Sequence, residues 1–214
     1  MSNFEYIIAS LPFLTEDYKY RDGLGFQDVL AEIEENLGEK DREVLDFLLK
    51  GFDSERLDAD FYAQALKHPC KYIREYFRFD LNLRNAKVRY LNRELGRKPE
   101  QDVLSGKGGP DDSDLDIDLY RFTGGEFEEE ARVQDALAQS DILSRERALD
   151  QVVWSKVSAL ETFHYFDLTA VLAYVAKLHI ADRWLALDPE KGRELFRQLV
   201  AEVKGTFKGV NYQG

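Results

Sequence analysis

The chain has few of the residues that staple, kink or ligate. It carries one cysteine in 214 residues, Cys70, so no internal disulfide framework can form. Its three histidines, His68, His164 and His179, do not stand at metal-ligand spacing, and there is no second cysteine to complete a zinc set. No apolar run approaches the roughly 18 residues needed to cross a bilayer. The opening "MSNFEYIIASLPFL" has no basic n-region and only a short apolar stretch, so no signal peptide is expected and the expected compartment is the cytoplasm.

Catalytic motifs are missing as well. "SGKGG" lacks the spacing of a phosphate-binding loop, and no strand precedes it. "DDSDLDID" sets Asp112, Asp114, Asp116 and Asp118 at alternate positions in the manner of a calcium loop. The glycine at loop position six and the glutamate at position twelve are absent, so the default is a solvated acidic linker. No Ser or Cys sits in a nucleophile context. The expectation is a protein that is not an enzyme, with no cofactor and no bound metal. A helical enzyme using the acidic linker for a metal is the remote alternative.

What is present is helical periodicity. At 44% hydrophobic and 33% charged residues the composition is that of a folded, well-solvated chain. Phe26, Val29, Leu30, Ile33 and Leu37 recur at helical steps, and Gly38 closes the run. A second helix is predicted over 40–50, stopped by Gly51, and a third over 58–67 with Pro69 beyond. The longest is predicted over 70–95 and ends at Gly96; inside it "FRFDLNL" alternates with period two, which leaves a strand as a lesser alternative. "GRKPEQDVLSGKGGPDDSDLDID" has no sustained periodicity and reads as an exposed linker. Beyond it, "EFEEEARVQDALAQ" places acids in a first helical turn. Ile142, Leu149, Val153, Leu160 and Phe163 form one face of a long helix. Asp167 is the N-cap of the next, with Leu168, Val171, Leu172 and Val175 inward, and a last helix runs from Asp188 to Gly205. The fold class is all-α: long amphipathic helices in two units, 1–97 and 125–205, joined by a linker over 98–124 and followed by a loose tail over 206–214.

Charge is uneven. The net charge is −12, yet between Lys67 and Lys98 ten Lys/Arg stand against three Asp/Glu. Arginine recurs at 74, 78, 84, 89, 93 and 97, interleaved with aromatics. Such a segment can grip phosphates and stack bases. It can also face a protein partner, or be the solvated side of a long helix. The intervals of four to six do not hold one helical face, and the acidic remainder repels a polyanion.

The stretch "YFRFDLNLRNAKVRYLNRELGR" resembles a helix of the C-subunit family of bacterial V/A-type ATPases, whose eukaryotic members are the d-subunits. That family carries an acid, an asparagine and a downstream arginine along the helix. Asp80, Asn85 and Arg89 or Arg93 are the nearest matches, with Asn82 an alternative for the asparagine. "RERALDQVVWSKVSALETFHYFDLTAVLAYVAKLHIADRW" resembles a later segment of the family through Leu149, Asp150, Tyr174, Arg183 and Trp184. The opening "YIIASLPFL" looks like a short bacterial branch. The resemblance covers about two-thirds of the chain in patches. It implies a non-catalytic spacer between the central stalk and the membrane rotor ring of an H+ or Na+ V-type ATPase, peripheral to the cytoplasmic face of the inner membrane. The interface it implies comprises Arg74, Arg78, Asp80, Asn85, Arg89, Arg93, Arg183 and Trp184, with Arg78 and Arg84 near Asp80. The alternative is a helical nucleic-acid-binding protein using the Arg74–Arg97 helix.

Overall fold

The computed structural model describes residues 2–15, 25–104 and 127–187. The "SGKGG" run, the Asp112–Asp118 series, the helix expected from Asp188 and the tail from 206 lie outside the described residues. Within them the chain forms eight α-helices and no strand: α1 (Phe4–Ser10), α2 (Phe26–Asn36), α3 (Glu39–Lys50), α4 (Ala59–Lys67), α5 (Lys71–Glu94), α6 (Glu130–Leu137), α7 (Ile142–Glu161) and α8 (Leu168–Leu185). The all-α class is as the periodicity predicts, and "FRFDLNL" is helical, inside α5.

Local chemistry sets the ends. Asp58, Asp141 and Asp167 each accept a hydrogen bond from a backbone N–H three residues on, capping α4, α7 and α8. Asp28 reaches back to the Gly25 N–H at 3.0 Å at the start of α2. Gly96, at φ +65°, takes the left-handed conformation that ends α5.

The core is built around α8. Val171, Leu172, Ala173, Val175, Ala176, Leu178 and Ala181 are all buried, so α8 is apolar nearly all round. It packs against α7 on one side and against α1, α2 and α3 on others. Its alanines let those neighbours approach closely. One cluster therefore joins Ile33, Leu45, Leu48, Ile73 and Phe77 to Val157, Val171 and Val175, so residues of both sequence units share a core. A second cluster holds Phe79 and Leu83 of α5 against Val133 and Leu137 of α6 and Leu149 and Val152 of α7.

One sequence expectation changes, and the start of the linker, exposed over 98–102, makes contacts that the sequence did not show. Along α7 the buried side is Leu149, Val152, Trp154 and Val157, while Ile142 is 75% and Phe163 84% exposed. The apolar period overreaches the covered face at both ends. Ile142 is the first residue of the helix, and Phe163 lies beyond the C-cap Thr162, where the chain leaves it. The beginning of the linker is also strapped down. Asn85, buried on α5, accepts from the Leu104 N–H and donates to the Leu104 carbonyl, each at 3.1 Å. Buried Asn92 donates to the carbonyls of Pro99 and Gln101 at 3.2 and 2.5 Å. These two amides supply the hydrogen bonds that the irregular backbone over 99–104 would otherwise take from water.

Candidate docking interface

The residues singled out from the sequence are spread along the molecule. Arg74 and Arg93 are 19 residues apart on α5, roughly 28 Å of helix. Most of the arginines serve the fold itself. Arg74 caps the preceding turn, donating to the carbonyls of His68 and Pro69 at 2.5 and 2.8 Å. Arg78 pairs with Glu75, not with Asp80 as expected; at i and i−3 Glu75 shares its side of the helix. Arg84 does pair with Asp80, at 2.8 Å, and Asp80 also accepts from the Tyr62 hydroxyl at 2.5 Å. Burial, reinforced by the Asp80 carboxylate, holds that hydroxyl protonated far above its ordinary range. Arg89 grips Glu100 through Nε and one terminal nitrogen, with bonds of 3.0 to 3.1 Å. Arg93 is exposed near the end of α5.

The pair expected in the C-terminal unit does come together. Asp150, buried on α7, receives the Arg183 guanidinium and, at 2.6 Å, the Trp184 indole N–H. Arg147 lies over the Trp184 ring at 5.9 Å. This lattice locks the start of α7 to the end of α8. It is an internal clamp: a carboxylate taken out of water needs both a charge and a donor.

Sequence reasoning missed where the apolar surface gathers. The first half of α7 is tied to the end of α8 through Asp150 with Arg183 and Trp184, and α5 packs on it through Phe79 and Leu83, with Ala86 and Tyr90 at the edge of the same cluster. The start of α7 and the ends of α8 and α5 expose Leu91, Leu95, Ile142, Leu143, Leu185 and Leu187. The α7–α8 connection exposes Phe163, Tyr165 and Phe166, with Phe13 from the loop after α1. Tyr6 on α1 is the remaining large exposed apolar residue among those described. The α5 helix is 24 residues and about 36 Å long. At the aromatic end a cleft of about 640 Å³ opens between the loop after α1, the second half of α7 and the first half of α8. The signal for it was in the sequence: "TFHYFD" carries three aromatics and an N-cap but no glycine between two helices.

The described residues contain no group of three or more His, Cys, Asp and Glu placed to hold a metal ion. None of the described helices is long and apolar enough to cross a membrane.

A family model matches residues 52–206, and its description is "Protein of unknown function (DUF2764)". The match spans more than half of the chain, so the protein belongs to that family. No curated protein and no solved structure matches it. The resemblance to the C-subunit family of V/A-type ATPases is thereby corrected, because the family that matches is a different one. The patches that carried it were short. Much of what they contain, Asp80, Asn85, Asp150, Arg183 and Trp184, is occupied in internal contacts that any such helical packing needs.

Proposed function

As a member of a family whose description assigns no activity, the chain must be interpreted from its own geometry, and we propose that it is a non-catalytic helical coupler that holds a different partner at each end. The observation that carries this is the placement of exposed apolar side chains at the α7–α8 connection and, separately, at the start of α7 and the ends of α8 and α5. Contiguous exposed apolar surface is costly for a free monomer and marks interaction sites. Rods of packed helices with buried ionic clamps are stiff, which suits a part that passes force. The partners we propose are the central stalk and the membrane rotor ring of a V-type ATPase. In that setting the protein sits at the cytoplasmic face of the inner membrane and breaks no bond. This assignment of partners rests on the exposed apolar side chains at the two ends of the α7–α8 pair; neither family membership nor the corrected resemblance adds to it.

The nucleic-acid reading has less support. Phosphate contact needs arginines free to point outward along one face. Arg74, Arg78, Arg84 and Arg89 instead bind carbonyls or carboxylates of this chain.

Deleting the gene and assaying inverted membrane vesicles tests the proposal. If the protein couples stalk to ring, vesicles lacking it hydrolyse ATP but no longer drive H+ or Na+ uptake, and adding the purified protein restores uptake. Unchanged ATP-driven uptake in the deletion strain would sink the proposal.

A further inference from the structure

The aromatic end carries a second observation, in its backbone. Glu161 to His164 form a type II turn: Thr162 sits at φ −54° and ψ 126°, Phe163 at φ +70°, and the His164 N–H returns to the Glu161 carbonyl at 2.8 Å. The third position of such a turn favours glycine or asparagine, since a side chain there crowds its own backbone. Here it is a phenylalanine, and its ring is 84% exposed. Two unfavourable choices fall on one residue, and the turn does not bury the ring in exchange. Strain of this kind persists where function holds it.

The cleft beside this turn is lined by Leu11, Phe13, Trp154, Tyr165, Phe166 and Tyr174. Several of its polar groups are bound within the chain. The Tyr174 hydroxyl donates to the Pro12 carbonyl at 2.7 Å, Lys177 pairs with Glu161, and His164 Nδ1 lies 2.6 Å from Asp167. The occupant therefore meets a mainly apolar lining, with its charged groups at the lip. Phe163, exposed between the lining residues Glu161 and His164, extends the apolar surface beyond the cleft. At and beside the lip, the Asp167 side chain is 46%, its partner His164 43% and the Glu161 side chain 32% exposed, against 15% for Lys177, and of these the two carboxylates carry the exposed full charge at neutral pH. The accessible charge is thus acidic, in a chain of net charge −12. That disfavours an anionic lipid surface and favours a basic partner.

We propose that this cleft and the Phe163 rim dock one amphipathic helix of a partner protein, its apolar face in the cleft and Lys or Arg flanking that face at the lip. Phe163 is the anchor that enters the partner, and the strained turn presents it. The inference goes beyond the coupling function and stands without it.

The test places the photo-cross-linker p-benzoylphenylalanine at position 163 in the full chain in its own host, with Gln64, exposed on α4, as the control position. After irradiation the cross-linked peptide is mapped by mass spectrometry. The expected adduct is a single segment of another protein with an apolar helical stripe flanked by Lys or Arg, absent from the Gln64 control. Adding Phe166→Ser should lower its yield about ten-fold, as for loss of a central anchor. In parallel, Phe163→Gly should raise the melting temperature while abolishing co-purification of that partner, a pairing of signs that a purely structural residue does not give. Adducts confined to lipid, to a second copy of this chain or to an acidic segment, or a yield equal to the control, would overturn the inference. A basic helix that belongs to no rotary ATPase would uphold it and refute the coupling function.

Discussion

Gly51 provides the sharpest test of the packing described above. It follows α3 at φ −76° and ψ −6°, an ordinary right-handed conformation, so the backbone does not require glycine there. Space does. A Cβ at this position would stand 2.2 and 2.3 Å from Cζ and Cε1 of Phe77 and 3.0 Å from Cζ of Phe61. The Phe77 ring is fully buried and has no room to retreat: Phe61 meets it edge-on at 4.9 Å, Tyr76 at 5.1 Å and Phe47 at 6.1 Å. Overfilling a core by a methyl group costs about 1–3 kcal/mol. Helix propensity acts the other way, since alanine is favoured over glycine by up to about 1 kcal/mol. The clash wins, so Gly51→Ala should destabilise by about 2 kcal/mol, a fall in melting temperature of roughly 4–8 °C for a chain of this size. Urea unfolding followed by circular dichroism reads it. Phe77→Leu in the same background removes the offending ring edge and should recover at least about 1 kcal/mol of coupling in a double-mutant cycle. A Gly51→Ala protein that melts higher than wild type, or whose loss is the same with Leu at 77, would refute the contact between the end of α3 and α5.

Other perturbations follow from single groups. Among the described residues, the buried Tyr72 hydroxyl has no hydrogen-bond partner, so Tyr72→Phe should stabilise by about 1 kcal/mol in thermal unfolding; a loss of stability would reveal a partner for the hydroxyl. Asp150→Ala strands the Trp184 indole N–H and the Arg183 charge and should cost about 2–3 kcal/mol, with Asp150→Asn losing less because its amide oxygen still accepts from Trp184; equal stability of all three proteins in urea would contradict the clamp. His179 stacks on Phe52 at 4.2 Å, and burial first, then the nearby Arg183, lower its affinity for a proton. The folded state thus disfavours the charged ring. Stability should be full above the ordinary histidine range near about 6.5 and fall as pH drops below it, through the depressed folded value. His68, lowered mainly by its burial, adds with the same sign. His179→Gln should flatten part of that slope in melting temperatures taken from pH 7 down to pH 5, and an unchanged slope would dismiss His179 as its source.

Much of the helical layout was legible from periodicity and punctuation. The ends of α2, α3, α4 and α5 fall within a residue or two of Gly38, Gly51, Asp58 and Gly96, because caps and stops act locally. What depends on distant packing was not. Gly51 reads as a stop and is a space for Phe77. The face of α7 reads too long because Ile142 and Phe163 continue its period without being covered by anything. Asn85 and Asn92 give no hint that they strap residues 99–104, since an amide on a helix says nothing about which loop returns to it. The arginine series suggests a surface patch, yet several of its members close turns and ion pairs that only the fold brings into reach. The run "TFHYFD" hints at exposed aromatics, but the cleft beside it needs three segments, the loop after α1 with α7 and α8, and their meeting is not legible in any one of them.

The most direct test of the two-ended coupler is a native pull-down. The tagged protein is recovered from gently solubilised membranes of its own host, and what accompanies it is identified and counted by mass spectrometry. The account predicts stalk and ring components of a V-type ATPase in stoichiometric amounts. Recovery of nucleic acid or an unrelated soluble complex, with no ATPase component present, would contradict it.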